Sequence, residues 1–520
     1  MPIRPDQLPQ DPAELARMVV AMAAEIDKLT AMVDGFKTMI FGARSERMSA
    51  VAADQMTLDL GGPSSAAGPA PEANDNTPVG ERKAQRRGRD ANRNIGALPA
   101  HLPRVEEVIE PTVKTCSCCG GGLHRIGEDV REGLCVLPAS FYVKRRIFPK
   151  YACRSCEEGI VQAGAPARLV EGGMAENELV VHVAVSKFAW HLPLYRQVQM
   201  MASQGIHLDR TTLGLWLKRL AWWLRPLYDR QLQFTHRQAR IFCDETPLPV
   251  LDPGRGRTKR CQFWAHAMDD RPWNGPAPPA VTYVFAASRS AAEIARQLAG
   301  YDGVLQVDGY VAYKSHARKA RYEVSLAFCF AHARRKFVAV HKKTGSPFAT
   351  GVIETLAEIY AIEARIRGRG AEERRAVRQA ETRPILERLK ADMKAVLGEV
   401  SCQSSLAEAC RYTLDHWTGL TRFLADGRLE IDSNTVERTM RAIALGRKNH
   451  LFAGSEGGAE TWAILASLIN TAKLNGIDPY LWLVDVVERI VSGRTPINRI
   501  EELLAWNWKP EATADLQTAA

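Results

Sequence analysis

Two apolar runs in this chain each carry an aspartate where a buried strand tolerates one least. Asp244 interrupts Ile241-Phe242-Cys243-Asp244-Glu245-Thr246-Pro247-Leu248-Pro249-Val250-Leu251. Asp308 ends the run Gly303-Val304-Leu305-Gln306-Val307 and is followed at once by Gly309-Tyr310. A charged group at the end of a buried strand costs energy unless it is paired or metal-bound. A third acid, Glu437, lies in Asn434-Thr435-Val436-Glu437-Arg438, where a helix rich in basic residues is expected to begin. Two strand-end carboxylates and one helical carboxylate are hard oxygen ligands in the number needed to hold divalent cations. Glu245 should point to the opposite face by strand alternation and is set aside.

The pattern around these acids predicts their scaffold. Arg240–Leu251, Cys261–Met268 and Ala280–Ala287 read as strands, Ser290–Leu298 as a helix and Gly303–Val307 as a fourth strand. Ala327–Phe337 then runs from strand into basic helix. Three strands, a helix and another strand, with acids on the first and fourth, suit a ribonuclease-H-like α/β core. That core is expected over 239–455, with a helical insertion at about 345–425 whose mixed Arg/Glu content suggests a solvated surface. A helical C-terminal tail, 456–520, follows. The whole reads as a multidomain α+β chain.

Four further segments precede the core. Residues 12–48 hold an amphipathic helix with apolar residues at coiled-coil spacing, a zipper suited to homo-oligomerisation. Residues 49–103 form a flexible linker whose Arg82, Lys83, Arg86 and Arg87 suit phosphate-backbone contact. Within 104–170, Cys116-x2-Cys119 and Cys153-x2-Cys156 have the spacing of one structural zinc site. Cys118 is a competing ligand less well placed. The alternation of Phe141–Ile147 suggests a strand bridging the two knuckles, as in a zinc ribbon. Residues 171–238 read as a helical domain of helix-turn-helix type. One helix begins at Leu192-Pro193 and ends at Gln204-Gly205, and Asp209 caps a second running through Trp216 and Arg219. Arg210, Thr211 and Thr212 would face a DNA groove.

Bulk numbers agree with a DNA partner. The chain has 520 residues, 69 Lys+Arg against 59 Asp+Glu, and a net charge of +10. Basic side chains cluster at Arg438, Arg441, Arg447 and Lys448, beside Glu437, where they would hold DNA phosphates. No run reaches the roughly 18 apolar residues that span a bilayer. No export signal is evident, so the cysteines favour metal over disulfides and the expected compartment is the cytoplasm, at the nucleoid.

Over nearly its whole length the chain resembles the large transposase of the insertion sequence 66 family. The resemblance rests on Phe41-Gly42-Ala43-Arg44-Ser45-Glu46, the two cysteine pairs, and three blocks that match an Asp-Asp-Glu core. Those blocks are Asp244-Glu245-Thr246-Pro247, Asp308-Gly309-Tyr310 and Asn434-x2-Glu437-Arg438. Gly446-Arg447-Lys448-Asn449-His450-Leu451-Phe452-Ala453-Gly454-Ser455 matches the family's most recognisable string. Cys329-x2-His332 resembles a signature of several transposase superfamilies, read here as bracing the core rather than binding metal. The resemblance implies cleavage at the ends of an insertion element and strand transfer into double-stranded target DNA. It implies two catalytic Mg2+ ions on Asp244, Asp308 and Glu437, with Mn2+ able to substitute, and helper proteins from the same element. A DNA-binding regulator and a structure-specific nuclease on the same fold are the alternatives.

Overall fold

The structure, a computed structural model, describes residues 141–147, 150–152, 160–162, 165–252 and 254–510. The expected zipper, the basic linker and all four cysteines of the zinc site lie outside these residues.

The described residues before 164 form one small body. Strands β1 (Lys150–Ala152) and β2 (Ile160–Gln162) pair antiparallel, Lys150 opposite Gln162. The strand expected at Phe141–Ile147 does not form. Tyr142, Val143 and Ile147 are exposed there, so the alternation buries no face.

From residue 165 onward the described residues form a second compact unit around a five-stranded mixed sheet. Its strands are β3 (Arg240–Asp252), β4 (Arg257–Met268), β5 (Ala280–Ala286), β6 (Gly303–Val307) and β7 (Val324–Phe328), ordered β5-β4-β3-β6-β7. The first three are an antiparallel meander, and β6 and β7 add in parallel to β3. Between β5 and β7 lie two short helices, α4 (Ala291–Gln297) and α5 (Val311–Lys319). They cover one face through Ile241, Cys243, Trp264, Ile294, Leu305, Val307 and Tyr313.

The opposite face carries long helices. Upstream of the sheet run α1 (Asn177–Phe188), α2 (Leu194–Ala202) and α3 (Arg210–His236). Asp209 caps α3 as expected, accepting from Thr211 N at 2.7 Å. The helix runs through Trp216 and Arg219 as expected and continues through Pro226 to His236. An interior proline removes one helical hydrogen bond. Docking offsets that loss, because Gln231 donates to Val281 O of β5 and Tyr228 Oη to Tyr283 O. Sheet contact, invisible in local propensity, sets the length of this helix.

After β7 comes α6 (Phe330–Thr344), and then the stretch expected as a helical insertion: α7 (Pro347–Ile366), α8 (Ala371–Val377), a π-helical turn at Arg378–Thr382, α9 (Arg383–Glu399), α10 (Ser405–Asp415) and α11 (Trp417–Leu420). Phe330, Phe337, Leu356, Ile359, Met393 and Phe423 give it a core of its own. The Arg/Glu-rich stretch is less solvated than its composition suggests. Arg374 and Arg378 are buried with Glu363. Composition counts charges but not which side of the helix carries them. Helices α12 (Asn434–His450), α13 (Glu456–Leu474) and α14 (Pro479–Val491) close the unit, α13 lying against β5 through Ser467 and Thr471.

Candidate active site

Register decides which side chains meet. In the parallel pair, Phe242 stands opposite Gln306. Two residues further along each strand come Asp244 and Asp308, equivalent positions on one face. Ile241, Cys243 and Glu245 point the other way. Accordingly Glu245 pairs with Arg289, accepting from Nε at 2.6 Å, and lies 3.4 Å from Tyr313 Oη of α5. The face bearing Asp244 is the one α12 packs on, since Tyr283 of β5 donates to Thr439 O of α12 at 2.7 Å.

Asp244 accepts from Glu245 N at 2.8 Å, and no basic side chain pairs with it among the described residues. Burial, reinforced by the charges of Glu245, Asp308 and Glu437, pushes its carboxyl up to about 7. The same charges show that the three acids of the sequence pattern are electrostatic neighbours.

Asp308 sits one residue past β6 and accepts from Tyr310 N at 2.9 Å, closing a tight turn into α5. Gly309 adopts φ +97°, and a Cβ there would meet His416 at 3.2 Å and Tyr412 Oη at 3.3 Å. The backbone conformation calls for glycine, and a side chain would also press on His416 and Tyr412. Tyr412 of the insertion donates to Asp308 O at 3.2 Å. The insertion thus buttresses the turn that presents the second aspartate.

Glu437 occupies the first turn of α12, where the positive end of the helix favours a carboxylate. Arg335 donates to its Oε1 at 2.9 Å, and His332 Nδ1 lies 3.8 Å from the same oxygen. Both come from the start of α6. Cys329 braces this meeting of helices, accepting from Ser433 N at 3.3 Å, with its thiol pushed up to about 12 by burial. The sequence reading missed Arg335. The basic helix after the Cys-x2-His pair was visible, but not that it would reach across to Glu437.

The remaining expected residues fall in different places. Arg438 is half-buried and within reach of Thr435 Oγ1 at 3.4 Å, while Arg441 and Lys448 are exposed further along α12. Arg447 donates to Thr246 Oγ1 at 3.0 Å and also to Pro247 O, tying α12 to β3. Arg210, Thr211 and Thr212 form the first turn of α3, and the Thr211 hydroxyl bonds the capping Asp209 at 2.6 Å. Arg82, Lys83, Arg86, Arg87, Cys116, Cys119, Cys153 and Cys156 lie outside the described residues. The string Gly446–Ser455 has a local explanation. Leu451 ends α12 at φ +58°, Ala453 N donates to Pro249 O of β3 at 2.9 Å, and Ser455 caps α13. Gly446 leaves room for Trp462, which a Cβ would meet at 2.9 Å.

Comparison with known proteins adds a second line. Residues 172–461 match the transposase IS66 family. Residues 114–157 match the zinc-finger binding domain of transposase IS66, and 467–506 the IS66 C-terminal element. A segment described as transposase C of IS166 homeodomain matches at 28–106. Among relatives, three uncharacterized proteins of Sinorhizobium fredii (strain NBRC 101917 / NGR234) are similar. Protein y4jD is 56% identical over 98% of this chain and 99% of its own length. Protein y4qI is 45% identical over 79% and 77%, and y4hP 36% over 81% and 78%. The class these matches define is a transposase with a zinc-finger domain. Within that class the chain belongs to the IS66 family. The zinc-finger match spans Cys116, Cys119, Cys153 and Cys156, and carries zinc use with it. No helix among the described residues is long and apolar enough to cross a membrane.

Proposed function

We propose that this protein cleaves DNA at the ends of its insertion element and joins the freed strands to target DNA, using Asp244, Asp308 and Glu437 as carboxylate ligands of two divalent ions. The observation that carries the reading is the register. Asp244, within β3, and Asp308, one residue past β6, each lie two residues beyond the paired Phe242 and Gln306, and Glu437 on α12 is near enough for its charge to act on Asp244. The sheet order β5-β4-β3-β6-β7, an antiparallel meander extended by two parallel strands, supports a ribonuclease-H-like core.

The donor set fits divalent ions. Asp244 is half-buried among like charges with no basic partner among the described residues, whereas neighbouring Glu245 is neutralised by Arg289. Mg2+, which takes few protein oxygens, suits such a site, and Mn2+ would substitute. The ions would supply an activated oxygen nucleophile and relief of charge on the leaving oxygen. The chain's own residues supply the rest. Asp308 is fixed by the Gly309 turn and Tyr412, and Arg335 steadies Glu437 from α6. Arg438, Arg441 and Lys448 project from the Glu437 helix, where they would hold phosphates beside the reacting bond. Arg447 serves by holding α12 to β3. Arg210 and Thr212, with the linker's Arg82, Lys83, Arg86 and Arg87, would extend the DNA contact. Joining two element ends suits a homo-oligomer through the N-terminal zipper, assisted by helper proteins of the same element at the nucleoid.

A strand-transfer assay with labelled element ends and supercoiled target tests the reading. Asp308→Asn should abolish end nicking and leave end binding within a few-fold. Nicking that survives in that variant refutes the assignment. Cutting without joining would identify a nuclease, and metal-independent binding without any cleavage a regulator.

A further inference from the structure

Glu437 has a neighbour that the carboxylate reading does not use. His332 Nδ1 is sealed from solvent and has no hydrogen-bond partner, although a buried imidazole nitrogen without one is costly. It faces Glu437 Oε1 across 3.8 Å, too far for a hydrogen bond. Two ligands of one ion, each about 2.1 Å from it, lie about 3–4 Å apart. Cys329 Sγ, His332 and Glu437 each offer a donor atom, all within 4.8 Å of one another. Asp308 is close enough to act on the His332 ring by its charge.

We propose that His332, through Nδ1, is a ligand of the cation that Glu437 holds, giving that position a nitrogen donor among its oxygens. The inference rests on the carboxylate reading above. Cys329 is a positioning residue here and not a ligand. Its sulfur already accepts from Ser433 N at 3.3 Å, whereas His332 Nδ1 has no hydrogen-bond partner. His332 sits in the first turn of α6 and Glu437 in the first turn of α12, so Cys329 fixes the two helix starts against each other. Arg335 bonds Glu437 Oε1 at 2.9 Å from the same helix as His332 and steadies that carboxylate. A mixed nitrogen and oxygen set has a chemical consequence. Imidazole suits borderline transition ions better than Mg2+, so this position should prefer Mn2+.

The test uses the full-length chain with its zinc in place and Mn2+ as probe, followed by pulsed electron paramagnetic resonance and calorimetric titration. The expected result is a nitrogen modulation on bound Mn2+ that changes when histidine is labelled with heavy nitrogen. His332→Gln should remove the modulation, weaken Mn2+ about tenfold or more, and narrow the preference for Mn2+ over Mg2+. The isotope arm needs no variant, so a poorly folding His332→Gln leaves the proposal open to refutation. Mn2+ that binds in an Asp244- and Glu437-dependent way without a histidine nitrogen overturns the inference and leaves the carboxylate reading standing. A modulation unchanged in a folded His332→Gln overturns it as well. Mn2+ binding indifferent to Asp244→Asn and Glu437→Gln brings down the carboxylate reading, and this inference with it.

Discussion

The protonation of Asp244 couples the site to pH. Its carboxyl titrates at about 7 in the fold against 3.8 when unperturbed, chiefly because it is buried. Between those values the folded chain keeps a proton that the unfolded chain has released. Stability without metal therefore falls as pH rises from about 4 to about 7 and then levels, with a contribution on the order of a few kcal/mol. Asp244→Asn should flatten that slope in urea titrations. A cation competes with the same proton, so affinity for Mn2+ should climb with pH and reach a plateau above about 7. Calorimetry between about pH 5 and about pH 9 checks this. An affinity flat below neutrality would remove Asp244 from the ligand set. The aspartates themselves were legible because each breaks an apolar run at a position strands do not forgive. The partners of Glu437 were not, since His332 and Arg335 lie about a hundred residues away and meet it only through the crossing of two helices.

Among elements, the sheet was the easiest to read and the helices the hardest to bound. Alternation and turn residues mark β3 to β6 closely, and Ser290 announces α4 by capping it. Local signals failed where a distant surface decides. Examples are α3, prolonged by docking on β5, and Phe141–Ile147, whose alternation forms no strand and buries no face. The insertion is a third case, because its charges looked solvated while Arg378 is buried. That guanidinium donates to both Glu363 oxygens at 2.7 Å and to Phe423 O and Leu429 O at 3.0 Å. Removing it strands a buried carboxylate. Arg378→Ala should cost about 3–5 kcal/mol, with Glu363→Leu recovering part of the loss in the double variant. Urea midpoints and proteolysis within 345–425 measure this. A single-variant loss under about 1 kcal/mol would mean that water or Arg374 satisfies Glu363.

For the whole molecule, the zinc-finger segment and the sheet unit separate as compact bodies. Their metals should answer separately. Cys153→Ser should lose the zinc, counted by native mass spectrometry, and weaken end binding through local unfolding. Mn2+ affinity at the carboxylates should stay within about twofold, inside the usual tolerance for independent sites. Retained zinc removes Cys153 from the site, and a collapse of Mn2+ binding shows that the two bodies fold as one.

The short bridge between Val250 and Ala453 has a mechanical meaning. It hooks the far end of β3 to the loop leaving α12, and Arg447 fastens the same pair nearer the middle. Strand and helix are splinted at two points, so the jaws they carry, Asp244 and Glu437, cannot slide independently. Asp308 hangs instead from a glycine turn propped by the insertion. On the carboxylate reading proposed above, the placing of Asp308 is therefore set by the insertion and not by the splint.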